Sequence, residues 1–270
     1  FKSLLISDNF NLSLLAEILN IPTFSEIESS SNCIDPKNIF KVTDLLNKKF
    51  SIELKEKLIY KFNSIESGFH KLWPKGKDER KLIKVIWKLL LYCNDSFIRK
   101  RILKFVDNNN MTLSKAALDV FQGFECQERD DASNKFYDKW ANNKIVLDSW
   151  FHFSASIESN KSIENIESLF KHELFDEKSP NTLRSILTGY VNNNRSFHYE
   201  DGTGYDYIAK KIIKYDSLNP IVISRFLKIF SRWNLYVEPY RSNMLKALNT
   251  IHKSNLSNNS REVINLILNK

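Results

Sequence analysis

The sequence predicts an all-α fold, a curved array of antiparallel helix pairs of the degenerate α-solenoid or superhelical class, in a single domain over residues 1–270. Three observations carry this expectation. Glycine and proline number only six each in 270 residues, about 4% against a usual ~12%, which leaves too few turn residues for a many-stranded sandwich or barrel. Apolar residues recur at spacings of three and four along most of the chain, the period that lays a stripe on one helix face. Prolines follow Asp35, Ser179, Asn219 and Glu238, where they mark helix starts, because proline in the first turn gives up only an N–H that has no partner there. With 42% apolar and 13% aromatic residues, a chain of this length buries roughly three quarters of its unfolded surface. It needs no disulfide staples, and disorder is excluded as its main state.

In chain order, Asn11 is a helix cap ahead of Leu12, Leu14, Leu15 and Ile18, and Asp35-Pro36 opens the next helix. Ser51 reads as the start of another, ahead of Leu54, Leu58, Ile59 and Phe62. The following helix carries Leu82, Val85, Ile86 and Leu89 on one side. Opposite them stand Lys77, Lys81, Lys84 and Lys88, the spacing of a solvated face. A helix spans 95–106, and Thr112 starts one bearing Leu113, Ala116, Ala117 and Val120. A weak subdivision falls near 123–131, where the composition turns acidic and then aromatic. Further helices are expected at 130–142, 144–157, 162–172, 181–191, 205–215, 220–233, 239–252 and 260–268. Short connections make neighbours pack mostly antiparallel.

The three cysteines, Cys33, Cys93 and Cys126, are odd in number and widely spaced. They read as small buried hydrophobes of a reducing compartment rather than as a redox or metal motif. No apolar run reaches the ~20 residues of a bilayer crossing, so the chain is expected to be soluble, with no membrane partner. It opens at Phe1 without an initiator Met or a signal pattern, as an excised or processed segment would. The charge of +8 invites a nucleic-acid reading. The lysines are interleaved with 32 acids in a sequence rich in Lys, Asn and Ile, however, and nucleic acid is not the expected partner.

Of the histidines His70, His152, His172, His198 and His252, no two stand four apart on one face as a helical zinc site requires. His172-Glu173 comes nearest, with Asp176 where a second histidine would be needed, and it reads as an exposed pair near a helix end. Nucleophile elbows and phosphate loops are absent. No catalytic residue, no metal ligand and no cofactor is therefore expected in this chain. Within Glu200, Asp201, Gly202, Thr203, Gly204 and Tyr205, the glycines read either as a turn feeding a helix capped by Asp201 or as a loop facing a ligand cavity. The aromatics Tyr137, Trp140, Trp150, Phe151 and Phe153 either pack two helices in a core, each Trp N–H with a partner, or stack on single-stranded nucleic acid. In the helix opened by Pro220, Ile223, Phe226, Leu227 and Phe230 form the buried stripe. Arg225, Lys228 and Arg232 line another face, which is ordinary surface or a lining for something anionic.

Several motifs carry a family resemblance. They are Leu15 to Ile34 followed by Asp35-Pro36, Asn109-Asn110-Met111-Thr112, Phe136-Tyr137-Asp138-Lys139-Trp140 and Val146-Leu147-Asp148-Ser149-Trp150-Phe151. To these are added Asn181 to Leu187, Phe197-His198-Tyr199-Glu200-Asp201-Gly202-Thr203-Gly204-Tyr205 and Asn219-Pro220 through Ser224-Arg225. In this order and spacing, over nearly all 270 residues, the chain resembles the C-terminal helical domain of the bacterial aminopeptidase N family, zinc enzymes of the gluzincin class. The resemblance implies a cytoplasmic enzyme whose N-terminal and catalytic domains, the latter holding zinc, are partners of this domain in the same polypeptide. It implies peptide substrates, with this domain covering the catalytic cleft and restricting entry. It places Arg225 in a substrate channel near a peptide's downstream residues, with Lys228 beside it and Ile221 where the family often has glutamine. It places Glu200, Asp201, Gly202, Gly204 and Tyr205 at the border of the cavity or at an interdomain seam. The rival expectation is a free-standing α-solenoid adaptor that binds protein or nucleic acid through the basic faces at 77–88 and 225–232.

Overall fold

Helix starts follow the side chains that can accept from the first free N–H groups. In the computed structural model, which describes all residues other than 8–9, 70, 72–74, 160, 193–194 and 270, α1 (Lys2–Ile6) leads to α2 (Leu12–Leu19). There Asn11 Oδ1 accepts from Leu14 N–H at 2.9 Å. After α3 (Phe24–Ser30), Asp35 Oδ1 accepts from Asn38 N–H at 3.1 Å at the head of α4 (Pro36–Ile65). Then follow α5 (Lys77–Leu91), α6 (Ser96–Leu103), α7 (Met111–Asp119), α8 (Gln127–Trp140), α9 (Lys144–Ala155), α10 (Ser162–Leu169) and α11 (Pro180–Val191). The last four are α12 (Thr203–Tyr215), α13 (Pro220–Phe226), α14 (Tyr240–His252) and α15 (Asn258–Leu268). The class is all-α as expected: among the described residues there is no strand, only an isolated bridge between Ile34 and Tyr236. His70 lies outside the described residues.

Four local expectations are corrected. Ser51 starts no helix. It sits inside the 30-residue α4, where its buried hydroxyl donates to the Asn47 carbonyl at 2.5 Å instead of capping. The cap of α7 is Asn110 rather than Thr112. The helix expected over 220–233 ends as α-helix at Phe226 and tightens into a 3₁₀ turn at Leu227–Phe230. The cysteines are not fully buried: Cys33 is exposed, and Cys93 and Cys126 are half-buried.

The chain divides into two units, Phe1–Thr23 with Phe40–Asn143 and Phe24–Ile39 with Lys144–Lys270. The stretch 123–131 lies within the first, running from the connection after α7 into the first turn of α8. In that unit α5 packs on α2, α6 and α7, and α8 packs on α6 and α7. Its core centres on Trp87, ringed by Phe62, Phe69 and Phe105 with centroids 5.0 to 6.1 Å apart. The Arg101 guanidinium lies 3.9 Å over the Phe62 ring while it binds Glu66 at 2.7 Å. Rings of this size each contribute about 1.5–3 kcal/mol by leaving water.

In the second unit α9, α10 and α11 pack together, α12 packs on α14, and α15 packs on both α13 and α14. The buried Asp216 carboxylate, at the C-terminal end of α12, accepts from the hydroxyls of Ser257 and Ser260 and so holds the start of α15. The expected aromatic segment is shared out between the units. Tyr137 and Trp140 belong to α8, while Phe151 and Phe153 are core residues of α9. Trp140 Nε1 is buried with no hydrogen-bond partner among the described residues, against expectation.

The early segment Phe24–Ile39 is a strap of this second unit. Ile34 N–H donates to Leu235 O and Val237 N–H donates to Ile34 O, both at 2.9 Å. Arg232 donates to the Ser31 carbonyl just past the end of α3, and the Tyr236 hydroxyl donates to Glu28 Oε1 at 2.8 Å. Tyr236→Phe removes one buried bond of the strap. It is expected to lower stability by about 1–2 kcal/mol, read as a lower urea midpoint at unchanged m; an unmoved midpoint would refute the bond's role.

Candidate functional site

The turn before α12 is built from close backbone approaches. Gly202 has φ +77°, the left-handed region that glycine enters without strain. A Cβ on Gly204 would lie 2.4 Å from Phe197 O and 2.5 Å from Ser196 O. The Asp201 carboxylate accepts from Thr203 N–H at 2.9 Å and from its hydroxyl at 2.8 Å. The Glu200 side chain pairs with Lys37 at 2.8 Å and with the Tyr240 hydroxyl, while its carbonyl accepts from Asn243 Nδ2 at 2.9 Å. The bond to Glu200 raises the Lys37 ammonium above its ordinary value. Burial pushes Tyr240 up to about 12.

Beneath the turn lies a group that the sequence reading did not select. His198 is buried, its Nδ1 2.8 Å from the Tyr205 hydroxyl. Its ring is stacked on Tyr236 at 5.7 Å and tilted on Phe24 at 4.7 Å. Burial also lifts Tyr205 and Tyr236 well above the usual tyrosine range. His198 was visible only as part of the family motif, because Phe24 and Tyr236 meet it across 174 and 38 residues and leave no periodic trace. Of the five turn residues expected at a cavity or seam, Glu200 and Asp201 are exposed, whereas Gly202, Gly204 and Tyr205 are buried against Asn243, residues 196–197 and His198.

The second group stands on α13. Asn219 does not cap the helix with its side chain; it donates to Glu177 O at 2.8 Å and so anchors the helix start. Ile223, Phe226, Leu227 and Phe230 are buried as expected. Ile221 and Arg225, four apart, face solvent together with Lys228 in the 3₁₀ turn and with Leu218. Among the described residues Arg225 and Lys228 have no ion-pair or hydrogen-bond partner. Arg232 leaves this face, because its guanidinium turns to the Ser31 carbonyl. The turn group is held by α14 and the start of α4, and the α13 group by α15.

The other charged feature is less open to a ligand. On α5, Lys81 pairs with Glu17 at 2.7 Å and Lys84 with Asp119 at 3.2 Å, which takes cations away from any phosphate-binding face. His172 is half-buried, with its ring 5.2 Å from Trp150 and 5.5 Å from Phe151. It is a packing residue rather than an exposed member of a His-Glu pair. Among the described residues no three His, Cys, Asp or Glu side chains gather as metal ligands, and no helix is long and apolar enough to cross a membrane.

The family described as "Domain of unknown function (DUF3458_C) ARM repeats" matches residues 1–269. The chain belongs to this family. Aminopeptidase N of Escherichia coli (strain K12) is 28% identical over 250 residues, 92% of this chain and 29% of that protein. Aminopeptidase N of Haemophilus influenzae is 26% identical over 241 residues, 88% of this chain and 27% of that protein. The crystal structure of Legionella pneumophila aminopeptidase A in complex with aspartic acid shares the fold, with a TM-score of 0.87 at 24% identity over 99% of this chain and 33% of that one. This family member thus spans under a third of the aminopeptidase N relatives it matches, and it resembles their C-terminal helical domain.

The buried histidine is expected to make this ARM-repeat domain acid-sensitive. Burial holds His198 down to about 3 from an ordinary 6.5, so in this window the unfolded chain binds the proton and the folded chain does not. Stability is therefore expected to fall as pH falls from 6.5 toward 3, with a slope of up to about 1.4 kcal/mol per pH unit from this group. Urea midpoints from pH 7 to 4 should drop more steeply for the native chain than for His198→Phe. Parallel slopes would refute the assignment.

Proposed function

We propose that this chain is the helical domain of a cytoplasmic zinc aminopeptidase, closing over the catalytic cleft and limiting entry to peptides and unfolded ends. The observation that carries the reading is the family match along residues 1–269 together with aminopeptidase N relatives more than two thirds of whose length lies outside the match. No three His, Cys, Asp or Glu side chains gather as metal ligands among the described residues, and the reading places the metal in another domain of the same polypeptide, where bound zinc would activate water. On its own the chain is expected to hydrolyse no amino-acid amide.

Its contribution is positioning. Arg225 and Lys228 offer two cations, unpaired among the described residues, beside exposed Ile221, a combination that attracts a peptide's C-terminal carboxylate while accommodating apolar side chains. The exposed Glu200 and Asp201 are read as the rim of the cavity or of the seam with a neighbouring domain, kept in place by the buried Gly202, Gly204 and Tyr205.

In the full-length enzyme, Arg225→Ala is expected to raise KM for tri- and tetrapeptides about three- to tenfold, as loss of a solvent-screened charged contact would. KM for single-residue amides should stay unchanged. Equal effects on both substrate classes would overturn the channel role.

A further inference from the structure

The strap over residues 24–39 is thinly attached to the second unit. Of its side chains only Phe24, Ile34 and Pro36 are buried. Its links include the Ile34 backbone pair with Leu235 and Val237, Glu28 to Tyr236, Arg232 to the Ser31 carbonyl, and Lys37 to Glu200. The last is an ion pair with both side chains more than half exposed, which contributes little. The base beneath is packed: Phe197, His198, Tyr205 and Tyr236 are buried and meet ring on ring. A thin layer over such a base opens at lower cost than the unit unfolds, because it gives up few buried contacts.

The strap covers an ionisable group. Phe24 is its ring on His198, at 4.7 Å, and Glu28 holds the hydroxyl of Tyr236, whose ring stacks on the same imidazole. The other ionisable groups around it are Tyr205 on α12, with Arg232 beside Tyr236 and Tyr240 near Tyr205. Between pH 7 and 5 carboxylates of ordinary strength stay charged and these tyrosines stay neutral, so the imidazole is the member of the group that titrates. Under the strap His198 stays neutral down to about 3, whereas in water it takes its proton near 6.5. The open form binds a proton that the closed form refuses. Acid therefore favours opening, by up to ~25-fold from pH 7 to pH 5.

We propose that residues 24–39 form an acid-released latch: opening the strap bares His198 and, with Phe24 and Lys37 withdrawn, loosens the turn that presents Glu200 and Asp201, while the helices of the unit stay folded. The device acts in the native protein, ahead of the global unfolding that acid also promotes. It links proton uptake to the placement of two exposed acids, whatever the chemistry of the protein they serve.

The test is hydrogen exchange by mass spectrometry on the full-length polypeptide at pH 7 and pH 5, with rates expressed as protection after correction for intrinsic exchange. Peptides carrying Ile34 and Val237, whose N–H groups make the strap pair, and Gly202, whose N–H donates to Tyr199 O at 3.0 Å, are expected to lose protection together, about tenfold or more. A peptide from the buried α11 should hold its protection. His198→Phe should flatten the response. Phe24→Ala, which keeps the imidazole, should raise strap exchange about tenfold at pH 7 with α11 unchanged, and it serves where His198→Phe fails to fold. Equal strap protection at both pH values would overturn the proposal, as would an undiminished response in folded His198→Phe. A parallel loss in α11 would do the same by assigning the proton uptake to global unfolding, and a turn that stays protected while the strap opens would break the coupling.

Discussion

The second unit is organised around a buried imidazole. His198 loses its contact with water, a cost that must be met by a hydrogen bond or by remaining neutral, and here both occur: the Tyr205 hydroxyl meets Nδ1, and burial suppresses protonation. The same ring is the surface on which Phe24 and Tyr236 pack, so one residue joins the strap at 24–39, the turn at 195–205 and the approach to α14. Gly204 makes the arrangement sterically feasible, because a side chain there would collide with the backbone of residues 196–197. With this joint in place Glu200 and Asp201 are presented at the surface, and Glu200 is further tied to Lys37 and Tyr240.

The two exposed faces differ in character. On α13 and the 3₁₀ turn after it, Arg225 and Lys228, without an ion-pair or hydrogen-bond partner among the described residues, stand exposed near Ile221. On α4, Val42, Leu45, Ile52 and Tyr60 stand exposed with Lys49 and Glu56 between them. Each face is held by its own core: α13 by α15, whose start is secured by Asp216, and α4 by the aromatic cluster around Trp87. The lysine face of α5, charged as it is, spends two of its cations on Glu17 and Asp119.

Much of this was legible in the sequence wherever the deciding interaction is local. Asn11, Asp35 and Ser179 cap helices because each side chain reaches an N–H three residues on, and such contacts are written in neighbouring letters. Ser51 was misread because a serine hydroxyl has two short-range choices, a following N–H or the carbonyl four residues back. Burial on the inner face of α4 selected the second. Arg232 has the spacing of Arg225 and Lys228, but a carbonyl two hundred residues away claims it. The candidate turn was found through its glycines, while the histidine that supports it was passed over.

The sequence by itself determined the helical class, most helix starts, the apolar stripe of each helix and the family to which the chain belongs, since these rest on period, capping and motif order within a few turns. Tertiary structure alone decided that residues 24–39 join the C-terminal unit, that a 30-residue helix replaces two shorter ones, and that α4 keeps a second apolar face in solvent. The reason is range: capping and helical periodicity act over three or four residues, whereas burial and the pairing of polar groups are settled between segments that the chain order keeps far apart.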